Sequence, residues 1–174
     1  MESEEKENKG VILLVDDEEF VLRALERSLK REAFEVIACP GAKEALETLT
    51  KAAVDVVISD HRMPEMTGMD FLIEVRKRHP DIVRILLTGH ADMEVAIAGI
   101  NDGKLFRFLT KPWDDKLLRA TVGKAVEVAR LNRKSRGLLK ELKQEDEYLK
   151  NLETSHPGIS AVKRDKSGAI IIDD

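Results

Sequence analysis

The stretch Val11-Ile-Leu-Leu-Val-Asp-Asp17 is an unbroken apolar run ending in two acids. A half-buried strand would alternate apolar and polar residues, whereas a strand apolar on both faces reads as one covered on both sides in a parallel sheet. The same pattern returns twice downstream. Val54-Asp-Val-Val-Ile-Ser59 leads into Asp60, and Ile82-Val-Arg-Ile-Leu-Leu87 leads into Thr88-Gly89. Phe34-Glu-Val-Ile-Ala38 and Leu105-Phe-Arg-Phe-Leu109 complete a set of five strand candidates.

Helical spacing fills the gaps. Residues 18–31 place Phe20, Val21, Ala24, Leu25, Ser28 and Leu29 on one face. Residues 40–51 do so with Ala42, Ala45, Leu46 and Leu49. Residues 68–79 follow with Phe71, Leu72 and Val75, and residues 91–102 with Val95, Ala96 and Ile100. Strand and helix alternating five times predict an α/β fold, a doubly wound five-stranded parallel sheet with right-handed crossovers. In such folds the working residues collect at the carboxyl ends of the strands.

A fifth helix starts near Asp114 and meets no clear stop before Thr154, a reach of roughly 60 Å at the helical rise. From Val128 a heptad runs through it. Val128, Ser135, Leu142 and Leu149 share one core position, and Leu131, Leu138, Glu145 and Leu152 share the other. Six of these eight residues are apolar, which suits a short homodimeric coiled coil over residues 128–152. Ser135, Gly137 and Glu145 weaken that seam, so a solvated helix is the alternative. His156-Pro-Gly158 ends the helix. The tail to Asp174 offers a hairpin across Asp165-Lys-Ser-Gly168, a disordered end or a segment docked elsewhere. The expected organisation is therefore a polar tail at 1–9, a folded domain at 10–127, a coiled-coil helix at 128–154 and a short tail at 155–174.

Composition narrows the partners. A net charge of −4 without a long basic run predicts no nucleic-acid binding by this chain. No run of about 18 apolar residues exists, so no membrane span is expected, and the acidic start lacks a signal peptide's apolar stretch. These features predict a cytoplasmic protein. The single cysteine, Cys39, has no partner for an internal disulfide and reads as a packed thiol.

The strand ends carry Asp16 and Asp17, then Asp60, then Thr88-Gly89, then Lys111-Pro112. A parallel sheet brings all of them to one edge. Three carboxylates at one place repel one another unless a cation joins them. A hard divalent ion with oxygen ligands, Mg²⁺, fits that need. With a hydroxyl and an ammonium beside it, the set suits a phosphoryl group accepted by a carboxylate nucleophile.

Over residues 10–130 the sequence resembles the receiver domain of bacterial response regulators. The matching elements are Leu-Val-Asp16-Asp17-Glu, Ile-Ser-Asp60-His-Arg-Met-Pro64, Gly68, Leu-Leu-Thr88-Gly89 and Phe108-Leu-Thr-Lys111-Pro112. Each is common alone, but their order and spacing on five strands are specific. The resemblance implies strand order 2-1-3-4-5 and Asp60 as phospho-acceptor. It implies Mg²⁺ held directly by Asp17, Asp60 and the main-chain carbonyl of Arg62, with Asp16 acting through water. Thr88 is then the switch hydroxyl, Phe108 the aromatic that turns inward behind it, and Lys111 the phosphate partner before a cis Pro112. His61, Arg62 and His90 rim the site and are candidates for tuning hydrolysis. Trp113 extends the Lys-Pro run in a way similar to receivers of HD-GYP-type phosphodiesterases and hydrogenase-type regulators, and reads as a packing anchor for the fifth helix.

The resemblance implies a phosphorelay module that receives its phosphoryl group from a sensor histidine kinase and acts on an unknown downstream protein. Alternatives are a phosphate sink, a scaffold, or the front piece of a longer regulator. A haloacid-dehalogenase-like phosphatase also phosphorylates an aspartate, but needs an acid two residues later, where this chain has Arg62. The chain is thus expected to be a regulatory acceptor rather than an enzyme.

Overall fold

A computed structural model describes residues 10–159 and 166–167. The polar tail at 1–9 and the arms of the expected hairpin lie outside the described residues. The chain divides into two units, Met1–Asn132 and Arg133–Asp174.

The first unit alternates strand and helix throughout. Its strands are β1 (Val11–Val15), β2 (Glu35–Cys39), β3 (Val56–Asp60), β4 (Val83–Thr88) and β5 (Arg107–Thr110). The helices between them are α1 (Glu19–Leu29), α2 (Ala42–Lys51), α3 (Gly68–Arg78) and α4 (Met93–Asn101). A short 3₁₀ turn at His90–Asp92 precedes α4. All neighbouring strands are parallel, in the order β2-β1-β3-β4-β5. The three nearly all-apolar runs occupy the middle of the sheet, as two-sided burial requires.

Alternate residues of each strand feed two cores. On one face Ile12, Leu14, Val56, Ile58, Ile85 and Leu87 pack with Val21, Leu22, Leu25 and Leu29 of α1 and with α5 (Asp115–Ser155). On the other, Leu13, Val15, Val57 and Leu86 meet Ala45 and Leu49 of α2, Phe71, Leu72 and Val75 of α3, and Ala96 of α4. The polar interruptions within the apolar runs are satisfied locally. Asp55 accepts from the Val11 amide at 2.9 Å. Arg84 donates to the carbonyls of Lys104 and Ile82, both at 2.9 Å, and burial pulls its guanidinium down to about 10.

Two helical faces differ from the sequence reading. Phe20 is 76% exposed, and Leu22 takes its place in the core. At 100° per residue Phe20 sits about 125° from the centre of the stripe formed by Val21, Leu25, Ser28 and Leu29, off the buried face, so its apolar character alone misplaces it. Helix α4 buries only Ala96 and Gly99, leaving Val95 and Ile100 at the surface.

The start of α5 is tied to α1. Trp113 donates its indole N–H to the Ser28 hydroxyl at 3.1 Å and to Asp115 at 3.2 Å. The Ser28 hydroxyl is also hydrogen-bonded to Asp115, and Arg119 donates to the Ser28 carbonyl at 3.2 Å. Asp114 begins the helix by accepting from the Leu117 amide at 2.7 Å. Leu118, Val122, Ala125 and Ala129 then lay one stripe of α5 against the sheet.

From Leu131 onward most apolar residues of α5 are exposed, Leu131 by 66%, Leu138 by 53%, Leu142 by 61% and Leu149 by 50%, while Leu152 is half-buried. Val128, the first heptad residue, is half-buried against the core of the first unit.

Two expectations follow. Gly68 opens α3 beneath the Asp60 carbonyl, where an added Cβ would lie 1.9 Å from that oxygen. Backbone cannot yield that far, so Gly68→Ala should cost at least about 3 kcal/mol, measured as a lower midpoint in urea with unchanged slope. The Ser28 hydroxyl, helped by the Trp113 indole and the Arg119 and Arg31 charges, holds the Asp115 carboxyl below the usual range. A depressed carboxylate stabilises the fold above its unfolded value and loses that contribution as pH falls through its folded value. Asp115→Asn should therefore lower thermal stability at neutral pH, with the gap to wild type closing below about pH 4. A constant gap down to acid pH would exclude this ionic contribution.

Candidate functional site

The carboxyl ends of β1, β3, β4 and β5 meet at one edge. Leu14 pairs with Ile58 and Val15 with Ser59 in register, so Asp16 and Asp17 emerge beside Asp60. Oxygen atoms of Asp16, Asp17 and Asp60 all lie within 4.8 Å of one another. Asp16 and Asp60 are buried, at 1% and 8% exposure, while Asp17 faces solvent.

One cation offsets this crowding. The Lys111 ammonium lies 2.8 Å from Asp60 and 3.2 Å from Asp16. Burial works against its charge, but the Asp60 hydrogen bond and the two carboxylate charges more than compensate, and its proton is held more tightly than usual. Asp16 shows the opposite strain. Burial pushes its carboxyl up, as does the Asp60 charge, while the Glu18 amide at 2.8 Å and Lys111 pull it down without cancelling the rise. An oxygen-only donor set with excess negative charge is the chemistry of a hard divalent cation. The residues present therefore fit Mg²⁺.

The backbone of Lys111 is held beside β4. Its peptide bond to Pro112 is cis, and its amide donates to the Thr88 carbonyl at 2.8 Å. That hydrogen bond sets Lys111 beside Thr88, which is fully buried and pairs in register with Thr110. The Thr88 hydroxyl donates to the Gly89 carbonyl at 3.2 Å. Phe108 lies in β5 opposite Leu86, half-buried against the core on the α2–α3–α4 face.

The loop after β3 closes tightly. The His61 amide donates to the Leu87 carbonyl at 3.2 Å and the Gly68 amide returns to the His61 carbonyl at 2.7 Å. Absence of a side chain at Gly68 permits that return, and Glu65 takes the left-handed conformation, φ 69°, at the turn. Arg62 does not turn its guanidinium to the carboxylates. It forms a two-point pair with Asp92, at 2.7 and 3.3 Å, which joins this loop to the 3₁₀ turn after β4. The pair raises Arg62 and lowers Asp92 from their ordinary values. His61 keeps a buried Nδ1 without a hydrogen-bond partner, and His90 is exposed.

Asp16, Asp17, Asp60 and Lys111 are thus gathered at one point, with Thr88 adjoining. Sequence reading missed Asp92, because nothing local couples residues 30 apart across two loops.

Comparison with known proteins identifies the family. Residues 12–123 match the family described as response regulator receiver domain. The chain is 42% identical over 121 residues to the hydrogenase transcriptional regulatory protein HoxA of Cupriavidus necator, covering 70% of this chain and 25% of that protein. It is 33% identical over 118 residues to the DNA-binding transcriptional regulator NtrC of Klebsiella pneumoniae, covering 68% and 25%. It is 35% identical to the signal receiver domain of an HD domain-containing protein from Pseudomonas fluorescens, covering 72% of this chain and 92% of that one, with a TM-score of 0.67. The chain spans about a quarter of the length of these two curated relatives. Receivers of this kind are regulatory phospho-acceptors that work with histidine kinases and bind Mg²⁺ through acidic residues. No helix among the described residues is long and apolar enough to cross a membrane. The fold, the converging strand ends and the family match over residues 12–123 together make this chain a member of the response regulator receiver family, a phosphorelay receiver.

Proposed function

We propose that Asp60 is the phospho-acceptor and that Asp16, Asp17, Thr88 and Lys111 serve that transfer. The observation that carries this reading is the Lys111 ammonium, 2.8 Å from Asp60 and 3.2 Å from Asp16, beside a third carboxylate. A carboxylate oxygen of Asp60 forms the new P–O bond as the phosphorus–nitrogen bond of a kinase phosphohistidine breaks. Lys111 pairs with the phosphoryl oxygens and holds the acceptor in place. Asp17, Asp60 and the Arg62 carbonyl would hold Mg²⁺ directly, with Asp16 acting through water. When bound, that ion neutralises charge shared between the acceptor and the incoming group.

Switching begins from the Thr88 hydroxyl. It donates to the Gly89 carbonyl, so reaching a phosphoryl oxygen means exchanging a neutral acceptor for a charged one. Phe108 is half-buried and positioned in β5 to follow that movement. The Arg62–Asp92 pair ties the two loops beside the acceptor, and His61 and His90 lie on the same loops. All three residues at 61, 62 and 90 are assigned to tuning phosphate lifetime, Arg62 through its release from Asp92.

The output is a change in protein contacts. The exposed leucines of α5 support a homodimer through residues 128–152, with Val128 shared with the core and the seam proper beginning at Leu131. A sensor histidine kinase is the upstream partner and a downstream protein the recipient. The phosphatase reading gains nothing, since position 62 pairs with an acid instead of supplying one.

Acetyl phosphate with Mg²⁺ should add one phosphoryl group, seen by intact mass. Asp60→Asn should add none, and chelation of Mg²⁺ should prevent the addition. Lys111→Ala should slow it by about a hundredfold, the scale of losing one preorganised charge partner. Wild-type protein that stays unmodified would overturn the assignment.

A further inference from the structure

We infer that the α5 segments of two copies pair antiparallel, with Leu138 of each opposite the partner's Leu142. This inference rests on the homodimer proposed above and fixes its orientation. The seam residues Leu131, Leu138, Leu142 and Leu149 are at least half exposed, a row of large apolar side chains along one helix. Such a row needs a cover, and the charges beside it select one.

The helix is electrically two-sided along its length. From residue 130 to 143 it carries Arg130, Arg133, Lys134, Arg136, Lys140 and Lys143 against one acid, Glu141. From residue 144 to 155 it carries Glu145, Asp146, Glu147 and Glu153 against one base, Lys150. A parallel pair sets like half on like half, while an antiparallel pair sets basic half on acidic half.

The core layers give the same answer. In a parallel, in-register pair each heptad core residue meets its own copy, so Glu145 faces the partner's Glu145. The flanking contacts of that arrangement bring Glu141 against the partner's Asp146, and the reverse. Six carboxylates then share about one helical turn with no base among the flanking residues. In an antiparallel pair the two kinds of core position meet each other. Leu131 then faces the partner's Leu149, Leu138 the partner's Leu142, and Ser135 the partner's Glu145. Each of the four exposed seam leucines keeps a leucine, and Leu152 meets the partner's Val128. The one buried acid meets a hydroxyl donor with Lys134 of the same chain next to it. Leu139, which flanks the core, meets the partner's Leu139 and explains a further exposed apolar residue, 56% accessible. Among the charged residues at the core and flanking positions, Glu141 still faces its own copy, at the centre of the pair. The two arrangements bury the same leucines, so electrostatics decides between them.

The test uses the full chain with Cys39→Ser, so that introduced thiols are alone. Ser135→Cys protein is mixed with an equal amount of Glu145→Cys protein in a glutathione redox buffer. The expected major product is the mixed disulfide joining position 135 to position 145 of the partner chain. A majority of Ser135→Cys homodisulfide would overturn the antiparallel assignment while leaving the dimer standing. Sedimentation of wild-type chain as a monomer at all concentrations would overturn the dimer itself. A second variant, Ser135→Lys, reads the sign without thiols. Opposite Glu145 the introduced ammonium should tighten dimerisation by roughly tenfold. Opposite its own copy in a parallel pair it would loosen dimerisation, and that result contradicts the assignment.

Discussion

Three carboxylates confined to one sheet edge are the constraint around which the chain is arranged. Asp16, Asp17 and Asp60 are brought together because β1 and β3 are neighbours in register and both end there. Two of these acids are buried, and like charges in a low-dielectric place repel strongly. Lys111 relieves part of that repulsion by reaching Asp16 and Asp60 from a third strand end. The Thr88 carbonyl, accepting from the Lys111 amide, holds its backbone beside β4. The remaining negative charge suits a divalent cation, whose own charge would offset that of an incoming phosphoryl group. Function and local strain have the same source.

Stability is distributed to serve that edge. The central strands are buried on both faces and provide a rigid floor. Helix α5 is fastened to α1 through the Trp113, Ser28 and Asp115 network, so the chain leaving Lys111 is held firmly. Helix α4 is different. It buries Ala96 and Gly99 and little else, so displacing it exposes little apolar surface. The helix with the fewest buried residues thus follows the strand that ends in Thr88, joined to the loop after β3 by the Arg62–Asp92 pair.

Much of this was legible before any coordinates. The parallel sheet and the converging acids followed from apolar runs that end in Asp16, Asp60 and Thr88, whereas the strand order came from the resemblance to receivers. The anchor role of Trp113 also stands, although its partners were invisible: Ser28 is 85 residues away. What sequence missed depends on long-range geometry or on helical phase. Asp92 falls in the segment read as the fourth helix and carries no local signal, and its pairing with Arg62 arises only when two loops meet. Phe20 looked like core because hydrophobicity was counted before angle. The exposed α4 residues Val95 and Ile100 misled for a related reason, since an apolar helix can carry more hydrophobic residues than its contact face uses.

The most direct test of the central claim is chemical location of the phosphoryl group. Borohydride reduces an aspartyl phosphate to homoserine but leaves free carboxylates untouched. Protein phosphorylated by a histidine kinase or a small phosphodonor would be reduced, digested and read by tandem mass spectrometry. The account predicts homoserine at position 60, with Asp16 and Asp17 intact. Homoserine at either of those positions, or phosphate on another residue with Asp60 unchanged, would contradict it.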